Sequence, residues 1–73
     1  MTTQQIEEIN DSIRENRIAK ITVADPEDHD RFLREINAWA DECDYEEYSD
    51  AATDIWGTTD VGSEFRIYLS IAG

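Results

Sequence analysis

Apolar positions along the chain change period from segment to segment, and each change marks an element. Ile6, Ile9 and Ile13 recur at spacings of three and four, which is one face of an amphipathic helix, while Glu7, Glu8, Asp11 and Glu15 fall elsewhere on it. Thr2 or Thr3 can cap this helix, and Thr2 with Gln5 forms a Thr-x-x-Gln capping box, so the pattern predicts a helix over Thr3–Glu15. Within Arg17–Ala24, the residues Ala19, Ile21 and Val23 alternate with Lys20 and Thr22, the period of a half-buried strand. The strand ends at Asp25-Pro26, because proline has no N–H to give a ladder. The same dipeptide opens a second helix. Asp25 is a good N-cap, Pro26 suits the first helical position, and Glu27 and Asp28 lie near the positive end of the dipole. His29, Phe32, Leu33, Ile36, Trp39 and Ala40 then keep a helical stripe to about Asp41.

The stretch Glu42–Gly57 reads in two ways. As a helix, Asp44 caps it, Glu47 completes a capping box, and Tyr45, Tyr48, Ala52, Ile55 and Trp56 share a face that Gly57 ends. As two strands, Tyr45–Ser49 and Asp54–Thr58 are joined by a turn at Asp50-Ala51-Ala52-Thr53. The tail favours the strands. Asp60-Val61-Gly62-Ser63 is a hairpin turn with glycine where positive φ is needed, and Phe65, Ile67, Leu69 and Ile71 alternate strictly with Arg66, Tyr68 and Ser70. Such a strand needs an antiparallel partner just upstream, and Ile55–Thr58 is the one on offer.

The expected order is α-β-α-β-β-β, an α+β two-layer domain over residues 1–73 with both helices on one face of a mainly antiparallel sheet; a third helix in place of the middle strands is the alternative. The expected core is Ile6, Ile9, Ile13, Ile21, Val23, Phe32, Leu33, Ile36, Trp39, Phe65, Ile67, Leu69 and Ile71.

Charge changes the picture most. Six Lys and Arg face eighteen Asp and Glu, a formal net charge of −12 on 73 residues. Direct nucleic-acid binding and docking to an anionic membrane both need a basic face, so this balance argues against them. A chain this short buries only about 60% of its unfolded surface, which leaves little room for a closed active site. Cys43 is the one cysteine, so neither an intrachain disulfide nor a cysteine-based zinc site is expected. The opening Met1-Thr2-Thr3-Gln4-Gln5 lacks the basic and apolar runs of a secretory leader, and no apolar run approaches the roughly 20 residues of a membrane span. The expected location is a reducing cytoplasm.

The charge is also segregated. Residues 1–34 hold 8 acidic and 5 basic residues, a balance of −3, and residues 35–73 hold 10 acidic and 1 basic, a balance of −9. No Lys or Arg occurs from Glu35 to Phe65, where Glu35, Asp41, Glu42, Asp44, Glu46, Glu47, Asp50 and Asp54 gather. If this block is extended, Glu42, Asp44 and Glu46 point the same way about 6.6 Å apart, with Asp50 continuing the row and Cys43 and Tyr45 facing inward. Solvated carboxylates on an acidic surface, such as that of a salt-adapted protein, are the plain explanation. The alternative is an anionic array shaped for a basic groove, with Tyr48, Trp56 and Tyr68 on the sheet face away from the helices as aromatic anchors.

The block Asp41-Glu42-Cys43-Asp44-Tyr45-Glu46-Glu47-Tyr48-Ser49-Asp50, on so short a chain, resembles the small acidic phage-type inhibitors that mimic DNA, anti-CRISPR proteins among them. The resemblance is one of size and charge and rests on no fixed motif. It implies a stoichiometric inhibitor, with no catalytic role and no cofactor, that occupies the basic nucleic-acid-binding channel of a host defence complex in the host cytoplasm. An antitoxin or immunity-type module that caps a basic enzyme without copying DNA geometry shares the same electrostatics.

Other chemistry has less to support it. His29, the one histidine, is expected to be a partly buried, hydrogen-bonded helix residue. Asp25, Glu27, Asp28 and Asp30 are crowded but lack the Asp-x-Asp-x-Asp-Gly pattern of a calcium loop. Asp11-Ser12-Ile13 resembles the Asp-Ser-Leu site of acyl carrier proteins, yet that family is all-helical and this chain ends in a strand pattern.

Overall fold

The computed structural model describes residues 1–72 and has the α-β-α-β-β-β order, with two helices on one face of a four-stranded mixed sheet. Helix α1 (Thr3–Glu15) starts where the capping chemistry puts it. Thr2 Oγ1 accepts from the Gln5 N–H at 3.2 Å, and Gln5 Oε1 accepts from the Thr2 N–H at 2.8 Å. It ends at Asn16, which takes the left-handed conformation at φ 53°, a state that asparagine tolerates better than most residues. Strand β1 (Ala19–Val23) follows, and then helix α2 (Pro26–Trp39), where Asp25 Oδ1 accepts from the Asp28 N–H at 3.0 Å.

Helix α2 stops at Trp39, two residues short of the expected Asp41. Ala40 is already extended and pairs with Thr59 as the first residue of β2 (Ala40–Ser49). Asp41 and Glu42 would have stood at the negative end of the helix dipole with no basic residue in the last turn to offset them. The same electrostatics settles the ambiguous middle. As a helix capped by Asp44, it would set Glu46/Asp50 and Asp50/Asp54 as like charges at i,i+4, each pair destabilising. Extension about doubles the distance from Glu46 to Asp50, while it sets Glu46 opposite Asp54, whose charge Arg66 offsets. Strand β2 runs antiparallel to β3 (Ala52–Thr59); β2 begins five residues earlier than expected because α2 ends at Trp39, and β3 begins two residues earlier because the turn tightens to Asp50-Ala51.

The β3–β4 turn is as the sequence predicts. Gly62 has φ 84°, its N–H reaches the Thr59 carbonyl at 2.9 Å, and β4 (Glu64–Ile71) returns antiparallel to β3. Strand β1 joins the far side of β4 in parallel, giving the order β1-β4-β3-β2.

Register assigns the two faces. Ala19, Ile67 and Ile55 form one row against the helices, and Ile21, Leu69 and Thr53 the next. The apolar members of these rows, with Ile9, Val23, Phe32, Ile36 and Phe65, form one buried cluster, against which Ile13, Leu33, Trp39 and Ile71 pack from its rim. The Trp39 and Phe65 rings meet at 5.7 Å, tilted by 59°. Ile55 and Ala19 are fully buried core residues absent from the expected list, and Ile6 is only half-buried. His29 is buried, its Nε2 lying 2.9 Å from Thr53 Oγ1, as anticipated for a satisfied helix histidine. No helix is long and apolar enough to cross a membrane.

Candidate interaction surface

The face away from the helices is built in rows across β2, β3 and β4. Glu42, Thr58 and Glu64 make one row, Asp44, Trp56 and Arg66 the next, and Glu46, Asp54 and Tyr68 the third, with Lys20 of β1 beyond Tyr68. The period of two along β2 puts Glu42, Asp44 and Glu46 on this one face, about 6.6 Å apart at ~3.3 Å per residue. β2 is an edge strand, bonded to β3 alone, so the row lies along the rim of the sheet. Register shifts at Asp41 and Tyr48 bracket it, and bulges at such points bend the strand and increase its twist.

The remaining sequence-predicted positions divide. Asp41 is exposed near the start of β2 and Glu47 is exposed on the opposite face; Asp50 is exposed in the β2–β3 turn, past the register shift at Tyr48, and does not continue the row as expected. Glu35 does not join them. It sits on α2, in the helical layer, where the Met1 amino group contacts it. Tyr48, Trp56 and Tyr68 are all exposed on the open face, at 59%, 38% and 39%. Cys43 turns inward as expected and packs on the core, and burial together with the neighbouring Asp44 charge pushes its thiol pKa up. Tyr45 shares that face but stays 52% exposed, so the expectation that it faces inward holds only for its direction. Helix α2 ends before it could cover this part of β2.

Asp54 is a different kind of group from the rest of the block. It is only 4% exposed, and Arg66 clamps it with Nε donating to Oδ1 at 3.2 Å and Nη2 donating to Oδ2 at 2.6 Å. Tyr48 Oη donates to the same Oδ2 at 3.0 Å. The Arg66 hydrogen bonds hold the Asp54 carboxyl below its ordinary range, and the bond to Asp54 raises the Tyr48 pKa. Asp54 thus belongs to a structural cluster and is unavailable as a free carboxylate. Tyr48 is held by one end while its ring stays exposed. Sequence reasoning placed Asp54 in the free set because it could not know that β4 sets Arg66 one row away. It also passed over Glu64, which the alternation of β4 already put on the same face as Arg66 and Tyr68.

The other arginine–carboxylate pairs lie in the first half of the chain: Asp11 with Arg14, Glu15 with Arg17 at 2.6 Å, and Asp28 with Arg31 at 3.2 Å. Among the described residues, no ion pair involves Asp41, Glu42, Asp44, Glu46, Glu47 or Asp50. The arrangement is an unneutralised carboxylate row on an exposed rim, flanked by half-exposed aromatics. It can take up guanidinium and ammonium groups, and the described residues contain no cluster of His, Cys, Asp and Glu fit to hold a metal ion. Ser12 is 2% exposed, which leaves its hydroxyl no access for a prosthetic arm of the carrier-protein kind. No protein-family model, no curated protein and no solved structure matches the chain.

Proposed function

We propose that this chain is a stoichiometric inhibitor that offers its β2 rim to the basic nucleic-acid-binding channel of another protein or ribonucleoprotein, in the manner of an anti-CRISPR DNA mimic. The observation that carries the proposal is the row Glu42, Asp44 and Glu46, three same-facing carboxylates that the chain leaves without cations of its own. Duplex DNA carries one charge per about 3.4 Å of axis on each strand and spaces them more widely along its winding backbone, so Arg and Lys placed for phosphates can meet carboxylates at this interval. Arg engages a carboxylate through two parallel hydrogen bonds, as it does a phosphate. Tyr48, Trp56 and Tyr68 supply the contact area that charge alone lacks.

The test is competition. A panel of DNA-binding defence effectors is loaded with labelled duplex and titrated with the chain and with Asp44→Lys/Glu46→Lys. The wild type displaces DNA from at least one effector, less well as salt rises. At about 1.5 kcal/mol per lost close charge pair, the double variant loses about 3 kcal/mol, or roughly 100-fold, at a melting temperature no lower than that of the wild type. Equal potency of the double variant refutes the row as the interface. Binding that leaves DNA in place refutes mimicry and favours an immunity-type cap.

A further inference from the structure

Strand β2 is the long edge of the sheet, ten residues with β3 on one side and, among the described residues, no strand on the other. Every residue from Asp44 to Ser49 is exposed. Two contacts show which main-chain groups turn outward. The Glu42 carbonyl lies against Gly57 of β3, whereas the Tyr45 N–H donates to Asp44 Oδ1 at 2.8 Å. Antiparallel alternation then points the main-chain groups of Glu42, Asp44 and Glu46 at β3, and those of Cys43, Tyr45 and Glu47 away from the sheet. The register shifts at Asp41 and Tyr48 leave Glu42–Glu47 as the regular stretch between them. A row of outward N–H and C=O groups of this kind is a template for another strand.

The side chains say what kind of strand. A second copy meets like charge: an antiparallel β2–β2 pair centred on Asp44 sets Asp44 opposite Asp44 and Glu42 opposite Glu46, between chains that each carry −12. A basic segment meets the reverse. The residues opposite Glu42, Asp44 and Glu46 stand at alternate positions of the incoming strand, so a basic side chain at each pairs across the edge. The residues between them lie opposite Cys43 and Tyr45 on the helix side. There Cys43 packs on the core and the Tyr45 ring is 52% exposed, so apolar side chains suit those positions. Asp44 couples the two effects. A lysine or arginine that draws its carboxylate away releases the Tyr45 N–H for an incoming carbonyl. The other edge, β1, has five residues, and the one charged side chain among them is Lys20.

We infer that β2 takes up an extended segment of the partner as a fifth strand, with basic residues at alternate positions and apolar residues between them. The inference rests on the proposal that a basic protein is the partner, and it names the form of the contact: main-chain pairing along the edge, in addition to charge. The test uses the ¹⁵N-labelled chain and three peptides of equal charge. One alternates as Lys-Val-Lys-Val-Lys-Val-Lys, one has the same composition in blocks as Lys-Lys-Val-Val-Val-Lys-Lys, and one is the alternating peptide N-methylated at every residue. Affinity and amide hydrogen exchange are the readouts.

The alternating peptide slows exchange at Cys43, Tyr45 and Glu47, the outward amides. The blocked and the N-methylated peptides bind at least about tenfold more weakly and leave those amides unprotected. An N-methylated peptide that binds as tightly as its parent overturns the inference, because charge alone then accounts for binding. So does an alternating peptide that leaves exchange at the three amides unchanged. A dimer in sedimentation equilibrium of the chain alone, with the same amides already protected, gives the edge to a second copy and overturns it too. A chain that takes the peptide as a strand but leaves DNA on every effector refutes only the decoy function. One that displaces DNA but does not protect its β2 amides with the peptide refutes only strand addition.

Discussion

Replacing Gly57 by alanine places a methyl group where the backbone of β2 already lies. A Cβ built at Gly57 overlaps the Glu42 carbonyl oxygen and comes within 2.9 Å of Phe65 Cζ. The phenyl ring can tilt, but a carbonyl in a strand cannot rotate away alone, so β2 must shift against β3. Overpacking of this kind costs about 1–3 kcal/mol, and two weakened ladder hydrogen bonds add about 1 kcal/mol each, for a total of about 3–5 kcal/mol. A domain of 73 residues has roughly 4–11 kcal/mol in all, at about 0.05–0.15 kcal/mol per residue. The variant should melt at least about 12 °C lower, since 1 kcal/mol shifts a domain of this size by about 4–8 °C. Gly62→Ala is the control. Nothing lies within 4 Å of a Cβ there, so its φ of 84° is the sole cost, about 1–2 kcal/mol. Urea unfolding followed by tryptophan fluorescence gives both values, and hydrogen exchange should show the Gly57→Ala loss of protection concentrated in β2. A Gly57→Ala protein within 1 kcal/mol of wild type, or one less damaged than Gly62→Ala, would refute the close approach of the strands as the reason for glycine.

Phe65→Ala removes a buried ring packed at a tilt against Trp39 and should cost about 3–5 kcal/mol in the same urea assay, enough to leave the fold marginal. The depressed pKa of Asp54 means its stabilising contribution is present above the ordinary carboxylate pKa of about 3.9 and is lost as pH falls through the lower folded value. Asp54→Asn should therefore be less stable than wild type at neutral pH, and the gap should close below about pH 4 in acid titrations followed by circular dichroism. A gap that persists unchanged to the lowest pH would contradict the Arg66 clamp as its cause. Self-repulsion at −12 predicts a thermal midpoint that rises with NaCl over the range where the Debye length falls from about 30 Å to about 3 Å, with a smaller rise for Asp44→Lys/Glu46→Lys.

Elements whose ends carry their own chemistry were legible in the sequence. Thr2 with Gln5, Asp25 with Pro26, and Gly62 each fix a boundary through a local hydrogen bond or dihedral, and α1, the start of α2 and the β3–β4 turn lie where those residues put them. The end of α2 and the length of β2 were not legible, because they depend on pairing with β3. Ala40 leaves the helix to meet Thr59, a contact between residues that the sequence does not juxtapose. Ile55 was overlooked as core because its neighbours Asp54 and Trp56 obscure the alternation, although the register places it between Tyr45 and Ile67. The row Glu42, Asp44 and Glu46 needed only the period of a strand. That Asp54 leaves the free set needed the β3–β4 register, and that Glu35 leaves it needed the packing of the helical layer.

Where the cations stand decides what the acidic surface can do. Arg14, Arg17 and Arg31 are each spent on a carboxylate two or three positions away, within or just beyond a helix. Arg66 is the only cation in residues 35–73, and the fold commits it to Asp54, the one residue of the acidic block that the sheet buries. Had Arg66 been one row nearer the hairpin, or Asp54 exposed, that guanidinium would have been free to reach Asp44 across Trp56 and neutralise the middle of the row. The buried pair therefore has a second consequence besides satisfying Asp54. It keeps the protein's own arginine off the β2 rim, and a carboxylate row left unpaired at home is the physical requirement for one that is to pair with the arginines of another protein.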